Sequence, residues 1–176
     1  MENITENTGE FHLPEWDELP DIDLYNDQVI TLMNKYMGAL FEADDPPLTP
    51  SMINNYVKHG ILPCPVKKKY SRPHIARLIM ICAMKPVLSI QSIDILIKAL
   101  LENSTEEEML NSFVSNFGSA FVKTSEILDS SFKELTASGT SVMPQAVIRA
   151  AAMSAGSKKT AEKVLSELCA GSGTEN

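Results

Sequence analysis

Residues 49–93 read TPSMINNYVKHGILPCPVKKKYSRPHIARLIMICAMKPVLSIQSI, and the predicted architecture follows from the helix signals in this stretch. Thr49-Pro50 is typical of an N-cap followed by proline in the first helical turn, and Gly60 is typical of a helix end. These signals predict a helix over Pro50–His59. Its inner face would be formed by Met52, Ile53, Tyr56 and Val57. Its outer face would then carry Ser51, Asn54, Asn55 and Lys58.

The remainder of this stretch predicts a loop and two further helices. Pro63–Lys69 contains two prolines and three successive lysines, which indicates a short non-helical loop. Ser71 is positioned to cap a helix that stops before Pro86, and Ser89 is positioned to cap another over Ile90–Leu101. The stretch therefore predicts three helices around one basic loop.

The chain before this stretch predicts a surface segment and one helix. Pro14 and Pro20 prevent a helix over residues 11–25, whose apolar side chains we expect to lie on the core. Trp16 belongs to this segment and is predicted to be largely buried. Apolar residues spaced by three and four then predict a helix over Asp27–Phe41.

A long apolar stripe follows in the C-terminal half. Thr105 and Glu108 have the spacing of a capping box, and the stripe that starts there continues to about Ala137. This predicts one helix roughly 50 Å long at 1.5 Å per residue, or two helices joined near Gly118. A single small domain cannot cover such a stripe, so we predict a homodimer with this helix in the interface.

Two more helices are predicted after the stripe. They cover Val142–Ala155, ended by Gly156, and Lys158–Cys169. These helices could instead cover the apolar stripe within the same chain. With no confident strand in the sequence, the fold class is predicted to be mainly all-α.

The formal charge of −8 is distributed very unevenly. Residues 1–47 hold twelve acidic residues and one lysine, whereas residues 48–89 hold seven basic residues and no acidic one. A basic window without carboxylates favours a polyanionic partner such as DNA. The alternative is that the acidic N-terminal segment folds over the basic window and neutralises it.

The sequence carries few signals of enzymatic chemistry. It has no Gly-rich phosphate loop and no serine-nucleophile motif, and its three cysteines lack the spacing of a zinc site or a disulfide framework. Cys82 is expected to be buried and Cys64 to be the exposed thiol, while the three histidines are expected at the surface or in helix caps. We therefore predict no enzymatic activity, no cofactor and no metal.

The longest unbroken apolar run has seven residues, Leu78–Met84, which is too short to span a membrane. The N-terminus is acidic and polar, unlike a secretory signal. The expected location is the reducing cytoplasm, with no membrane association.

Several positions resemble the DNA-binding half of MerR-type regulators. In that family a helix-turn-helix ends in Tyr-x-x-x-Gly-Leu-Leu, which is similar to Tyr56 and Gly60-Ile61-Leu62. A wing and a Tyr-Ser-capped helix follow, similar to Tyr70-Ser71, and a second helix starts near a Leu-Ser, similar to Leu88-Ser89. Asn54 stands where such helices commonly carry arginine, and Lys68 stands where the wing arginine is expected.

A closer resemblance covers residues 11–101. Leu13-Pro14-Glu15-Trp16, Met52–Lys58 and Lys67–Ser71 are similar to a bacterial family described as domain of unknown function 1836. This resemblance implies a MerR-like winged helix-turn-helix in which a short basic loop replaces the full wing. Together with the helical periodicity of the C-terminal half, this gives a layout of a flexible N-terminus over 1–10, the helix-turn-helix domain over 11–102, a helical dimerisation or sensor region over 103–170, and a tail over 171–176.

The function implied is that of a DNA-binding transcriptional regulator acting as a dimer on double-stranded DNA. An asparagine on the outer face of helix 50–59 can read adenine with two hydrogen bonds, while the basic residues hold phosphates. The candidate DNA-binding residues are Ser51, Asn54, Asn55, Lys58, Lys67, Lys68, Lys69, Arg72 and Arg77. The alternative is a protein-interaction module whose basic face binds an acidic partner. The sequence leaves open whether a small-molecule effector exists, which operator is bound, and whether transcription is repressed or activated.

Overall fold

The computed structural model describes residues 12–41, 45–137 and 142–171, and this part of the chain is mainly helical. The predicted all-α class is confirmed, since the described residues form isolated β-bridges but no extended strand. The flexible segment predicted over 1–10 and nearly all of the tail predicted over 171–176 lie outside the described residues. The helices are α1 (Asn26–Met37), α2 (Pro50–Lys58), α3 (Arg72–Met84), α4 (Ile90–Leu101), α5 (Glu106–Ala137) and α6 (Val142–Gly171).

The chain divides into two compact units. The first comprises His12–Asn116, and the described residues of the second are 117–137 and 142–171. The first unit extends past the boundary expected at residue 102 because the beginning of α5 belongs to its core. Three α5 side chains are buried there: Met109, Leu110 and Val114.

Helix α3 forms the centre of the first unit. Its residues from His74 to Met84 are buried, with the exception of Arg77. A helix that is apolar on nearly all sides must be covered on nearly all sides, and α1 and α4 both pack against it. α1 contributes Val29, Met33 and Met37, each of which is completely buried.

Side-chain caps set most helix starts where the sequence predicts them. Thr49 Oγ1 accepts the Met52 N–H at 3.3 Å at the start of α2, and Ser89 Oγ accepts the Ser92 N–H at 3.1 Å at the start of α4. These bonds satisfy N–H groups that the first helical turn leaves without a backbone partner. The predicted capping box of α5 is confirmed as well, with the Thr105 N–H donating to Glu108 Oε2 at 2.9 Å.

The first helix is shorter than predicted. α1 ends at Met37, and a 3-10 turn over Gly38–Leu40 replaces the α-helix that was expected to reach Phe41. The apolar spacing continues through this turn, so periodicity alone does not reveal the change in helix type.

The N-terminal segment lies on the core as predicted. Leu13, Leu19 and Leu24 are buried, and Trp16 is mostly but not completely buried, in agreement with the prediction that it is largely buried. Its indole ring lies 5.5 Å from the Arg72 guanidinium, with which it makes a cation–π contact.

The two C-terminal helices are both continuous. α5 runs through Gly118 without a break, so it is one long helix and not two helices joined near Gly118. α6 runs through Gly156 for 30 residues, so the predicted division into two helices is wrong. Glycine in a helix interior costs only about 1 kcal/mol relative to alanine, and a long helix tolerates that cost.

In the described residues, no helix has both the length and the apolar character needed to cross a membrane.

Candidate nucleic-acid interface

The outer face of α2 presents polar side chains to solvent. Ile53 and Tyr56 are buried beneath the helix, and burial raises the pKa of the Tyr56 hydroxyl, with a further contribution from Cys82 in α3. These anchors fix which side of α2 faces outward. The side chains predicted for the outer face are all exposed: Ser51, Asn54, Asn55 and Lys58.

The end of α2 holds a histidine ring in a defined orientation. The Asn55 carbonyl oxygen lies 3.1 Å from the His59 backbone nitrogen and 2.8 Å from His59 Nδ1. A carbonyl can only accept, so Nδ1 carries the proton of that bond. His59 is therefore a capping residue, and Gly60 follows with a φ of 72°, which reverses the chain direction.

The basic loop contains a tight turn, here named the lysine turn and defined as Val66–Lys69. The Lys69 N–H donates to the Val66 carbonyl at 2.9 Å, and the central residues Lys67 and Lys68 have φ values of 51° and 64°. Positive φ at both central positions is the requirement of a type I′ hairpin turn, which usually contains Asn-Gly. The Lys67 and Lys68 side chains are exposed at its tip.

The left-handed conformation of these two lysines is costly. A non-glycine residue in this region costs roughly 1–2 kcal/mol. Sequence reasoning predicts a non-helical loop here but not its geometry, because Lys-Lys carries no turn signal. Strained residues that are kept at an exposed position are typical of functional sites.

The third lysine of the loop is held against the N-terminal segment. Leu24 and Tyr70 exchange two backbone hydrogen bonds of 2.9 and 2.8 Å, which places the N-terminal segment beside the lysine turn. Lys69 Nζ then lies 5.0 Å from the centre of the Tyr25 ring. Lys69 is half-buried, unlike its two neighbours.

Both predicted arginines form ion pairs within the chain. Arg72 pairs with Asp21 in addition to its contact with Trp16, and only 20% of its side chain is exposed. Arg77 Nε donates to Glu106 Oε1 at 3.0 Å, with 18% of the arginine side chain exposed. Neither guanidinium is therefore available to a phosphate unless its carboxylate partner is displaced.

These contacts reduce the number of basic side chains in the basic window that are free to bind a phosphate. In the part of the chain that the structure describes, Lys58, Lys67 and Lys68 are exposed and form no ion pair with a described carboxylate. Lys85 is half-buried, with its Nζ 3.8 Å from Met52 Sδ. The acidic N-terminal segment thus neutralises part of the basic window, and the α2 face and the tip of the lysine turn are left exposed.

The second unit contains an open apolar groove between α5 and α6. It has a volume of about 260 Å³ and is lined mainly by Leu128, Phe132, Met143, Val147 and Ala150. Arg149 and Glu134 approach within 3.7 Å and connect the two helices. Such a surface suits apolar side chains better than a polar ligand.

The structure also locates the residues considered for other chemistry. Cys82 is buried, as predicted, and its burial raises the pKa of the thiol to about 12, while Cys64 is exposed. Over residues 12–41, 45–137 and 142–171, no cluster of three or more His, Cys, Asp or Glu side chains could hold a metal ion.

Comparison with known proteins gives one match. The family described as a domain of unknown function (DUF1836) matches residues 14–117, nearly the same span as the first compact unit. No curated protein and no solved structure matches the chain.

Proposed function

Because the chain belongs to the DUF1836 family, whose function is unknown, we propose a function from its own surface: it is a MerR-like transcriptional regulator that binds double-stranded DNA as a dimer. Helix α2 would enter the major groove, and the lysine turn would take the place of a wing on the adjacent phosphate backbone. The winged arrangement is supported by the order of α2, the lysine turn, α3 and α4 along the chain.

The observation that carries this proposal is the selective exposure of cations. The chain pairs Arg72 and Arg77 with its own carboxylates, yet leaves Lys67 and Lys68 exposed at the tip of a strained turn. Two adjacent exposed lysines on a short, fixed turn suit a phosphate backbone, whose affinity for proteins comes mainly from such contacts. Lys58 at the end of α2 is also exposed and is proposed as a third phosphate contact.

Base reading is assigned to the amides of α2. Asn54 and Asn55 are exposed on a helix whose inner face is fixed by buried side chains. An asparagine that makes two hydrogen bonds to adenine contributes about 1–3 kcal/mol of discrimination against a wrong base. Arg72 and Arg77 were expected to contact phosphates, but they are not part of the proposed DNA contacts. Asp21 and Glu106 already neutralise them.

The test uses the full chain and fluorescently labelled duplex DNA. Binding to random duplex at low salt is expected first, followed by selection of preferred sequences from a random pool. Asn55→Ala should then reduce the preference for the selected site by about tenfold or more and leave the salt dependence unchanged. Asn34→Ala, which removes an exposed amide from α1, is the matched control. Absence of any DNA binding at low salt would refute the proposal.

Dimerisation is assigned to α6 and the second half of α5. In the described residues of α6 no side chain is buried, and Val147, Ile148 and Val164 are 67%, 61% and 59% exposed. Helices in proteins owe most of their stability to packing, so a helix of 30 residues with no buried side chain among residues 143–170 is expected to pack against a partner. The second half of α5 is about 31 Å long and α6 about 45 Å, so at about 10 Å per helix the face amounts to roughly 760 Å², close to the about 800 Å² per partner of a standard interface.

The partner proposed for this face is a second copy of the chain, which would form a four-helix bundle. Sedimentation at tens of micromolar should give the dimer mass, and Val147→Glu with Ile148→Glu should give the monomer mass. Asn34→Glu adds a carboxylate at an exposed polar position of α1, outside α5 and α6, and should leave the dimer intact. A monomeric wild-type chain would contradict this assignment.

One observation favours the interaction module as a second candidate. Asp21 and Glu106 show that carboxylates of this chain already bind its basic window, which an acidic partner could do as well. Binding of polyglutamate that competes with, or replaces, binding of duplex DNA would identify this case.

A further inference from the structure

Apart from the tyrosine and cysteine side chains of the core, His74 is the one buried polar or charged side chain among the described residues, with 6% exposure. It is the third residue of α3, and its Nδ1 lies 3.1 Å from the Ser71 backbone nitrogen and 2.8 Å from Ser71 Oγ. A backbone N–H can only donate, so Nδ1 accepts this bond and the neutral ring carries its proton on Nε2. Within the described chain Nε2 has no hydrogen-bond partner.

The ring is enclosed by the chain that leads into the lysine turn. Tyr70 contacts it edge-on, with the ring centres 5.5 Å apart. The backbone of Pro63 and Cys64 faces it closely enough to raise its pKa, and since Ser71 occupies Nδ1, these groups act on the Nε2 side. His74 therefore lies between the start of α3 and both ends of the basic loop.

We propose that neutral His74 is a positioning residue, which fixes the lysine turn against the N-terminus of α3 and releases it when the ring is protonated. The consequence for DNA affinity rests on the proposed function, whereas the coupling between the ring and the turn does not. A proton on Nδ1 would face the Ser71 N–H, so the hydrogen bond that begins α3 would be lost and the ring would have to turn.

The sequence supports this reading. Ser71-x-x-His74 has the spacing of a capping box in which histidine replaces the usual Glu or Gln. A glutamine at this position would accept the same hydrogen bond from the Ser71 N–H and would not titrate. Histidine makes the cap dependent on pH, because its ring can be protonated in mildly acidic solution.

The direction of the pH dependence follows from the surroundings. Burial lowers the pKa of His74 below its ordinary value of 6.5, and Arg77 on the same helix lowers it further. Asp23 on the N-terminal segment and the backbone of Pro63 and Cys64 act in the opposite direction but do not outweigh burial. The stability that neutral His74 contributes is thus complete above pH 6.5 and is lost as the pH falls through the lowered pKa.

The experiment follows the amide resonances of residues 67–69 during an NMR pH titration of the full chain. In wild type these amides should move with the same midpoint as the His74 ring. In His74→Gln they should start at the wild-type positions at pH 7.5 and lose that titration. In His74→Leu they should be displaced at every pH.

His12 and His59 remain present in His74→Gln, so their titration is controlled for in the same sample. If the His74 ring titrates in wild type and the turn amides do not move, the proposal is overturned. It is overturned equally if the amides of His74→Gln follow the wild-type curve. Should His74→Leu fail to fold, the glutamine variant still decides the question.

The DNA readout separates this inference from the proposed function. When the pH is lowered from 7.5 to below the midpoint of the His74 titration, the affinity of the wild type for duplex DNA should fall about three- to tenfold more than that of His74→Gln. This factor corresponds to the free energy of one lost hydrogen bond. Coupled amide shifts without DNA binding at any pH would support the positioning role and refute the proposed function. Equal loss of affinity in both proteins would show that the ring does not act on the DNA-binding face.

Discussion

Replacing Lys67-Lys68 with Asn-Gly should make the protein more stable and weaken its binding to DNA. The two lysines have φ values of 51° and 64°, a conformation that asparagine tolerates and glycine adopts without strain. Relief of strain is worth roughly 1–2 kcal/mol at the glycine position, and the greater entropy of glycine in the unfolded chain offsets about 0.5–1 kcal/mol of it. The expected net gain is about 1 kcal/mol, or a rise in Tm of about 3 °C.

The effect on DNA binding has the opposite sign. Each lost phosphate contact reduces the slope of log affinity against log salt by about 0.9, so two contacts per chain give about 1.8, and a dimer about 3.6. Between 50 and 200 mM salt, wild-type affinity should then fall about 150-fold more than that of the variant if both chains of a dimer bind. For a monomer the corresponding factor is about 12.

The assay is fluorescence anisotropy with one labelled duplex over a salt series, together with thermal unfolding of the same samples. Lys35→Ala with Lys98→Ala removes two exposed lysines from α1 and α4, outside the proposed DNA contacts and the proposed dimer interface, and matches the change in net charge. This control should keep the wild-type slope. A Lys67→Asn, Lys68→Gly protein with the wild-type slope and affinity would refute the assignment of the lysine turn to DNA, and a lower Tm would refute the strain argument.

Three further outcomes test the fold of the two units. A double-mutant cycle of Arg77→Ala and Glu106→Gln in urea should give a coupling of about 1–3 kcal/mol, because both side chains are mostly buried; a coupling near zero would mean that the pair does not form in solution. Iodoacetamide at pH 8 should label Cys64 and Cys169 but not Cys82, whose pKa is raised to about 12 by burial; mass spectrometry should find the third adduct only after unfolding. Gly156→Ala should stabilise α6 by about 0.5–1 kcal/mol, since a Cβ there meets no neighbouring atom; a loss of helicity by circular dichroism would indicate that α6 ends at this glycine.

The helix starts were predictable because their causes are local. Thr49, Ser89 and Thr105 each bond to an N–H within three residues, so a short window of sequence contains the whole interaction. The prediction of a helix end at Gly156 was wrong because glycine is a local signal that does not by itself end a helix. A glycine lowers helix stability by an amount that a long helix tolerates.

The candidate site was only partly predictable, because long-range pairing decides which cations are available. Arg77 and Glu106 are separated by 29 residues in sequence, and nothing in the local pattern around Arg77 indicates that partner. The pairing of Arg72 with Asp21 depends in turn on the backbone bridge between Leu24 and Tyr70. The outer face of α2 was predictable, since helical periodicity determines which side chains lie opposite the buried ones.

The near-complete burial of α3 limits how far the DUF1836 region can be shortened. Removal of α1, α4 or the first turns of α5 would expose the apolar surface of α3, and Arg77, the one charged side chain between His74 and Met84 of this helix, is itself mostly buried. In a nascent chain the same surface stays uncovered until α4 and the start of α5 have left the ribosome. We therefore expect this region to fold as one unit during translation, and α3 to be most exposed to aggregation or to chaperones in the interval before α4 and the start of α5 are available.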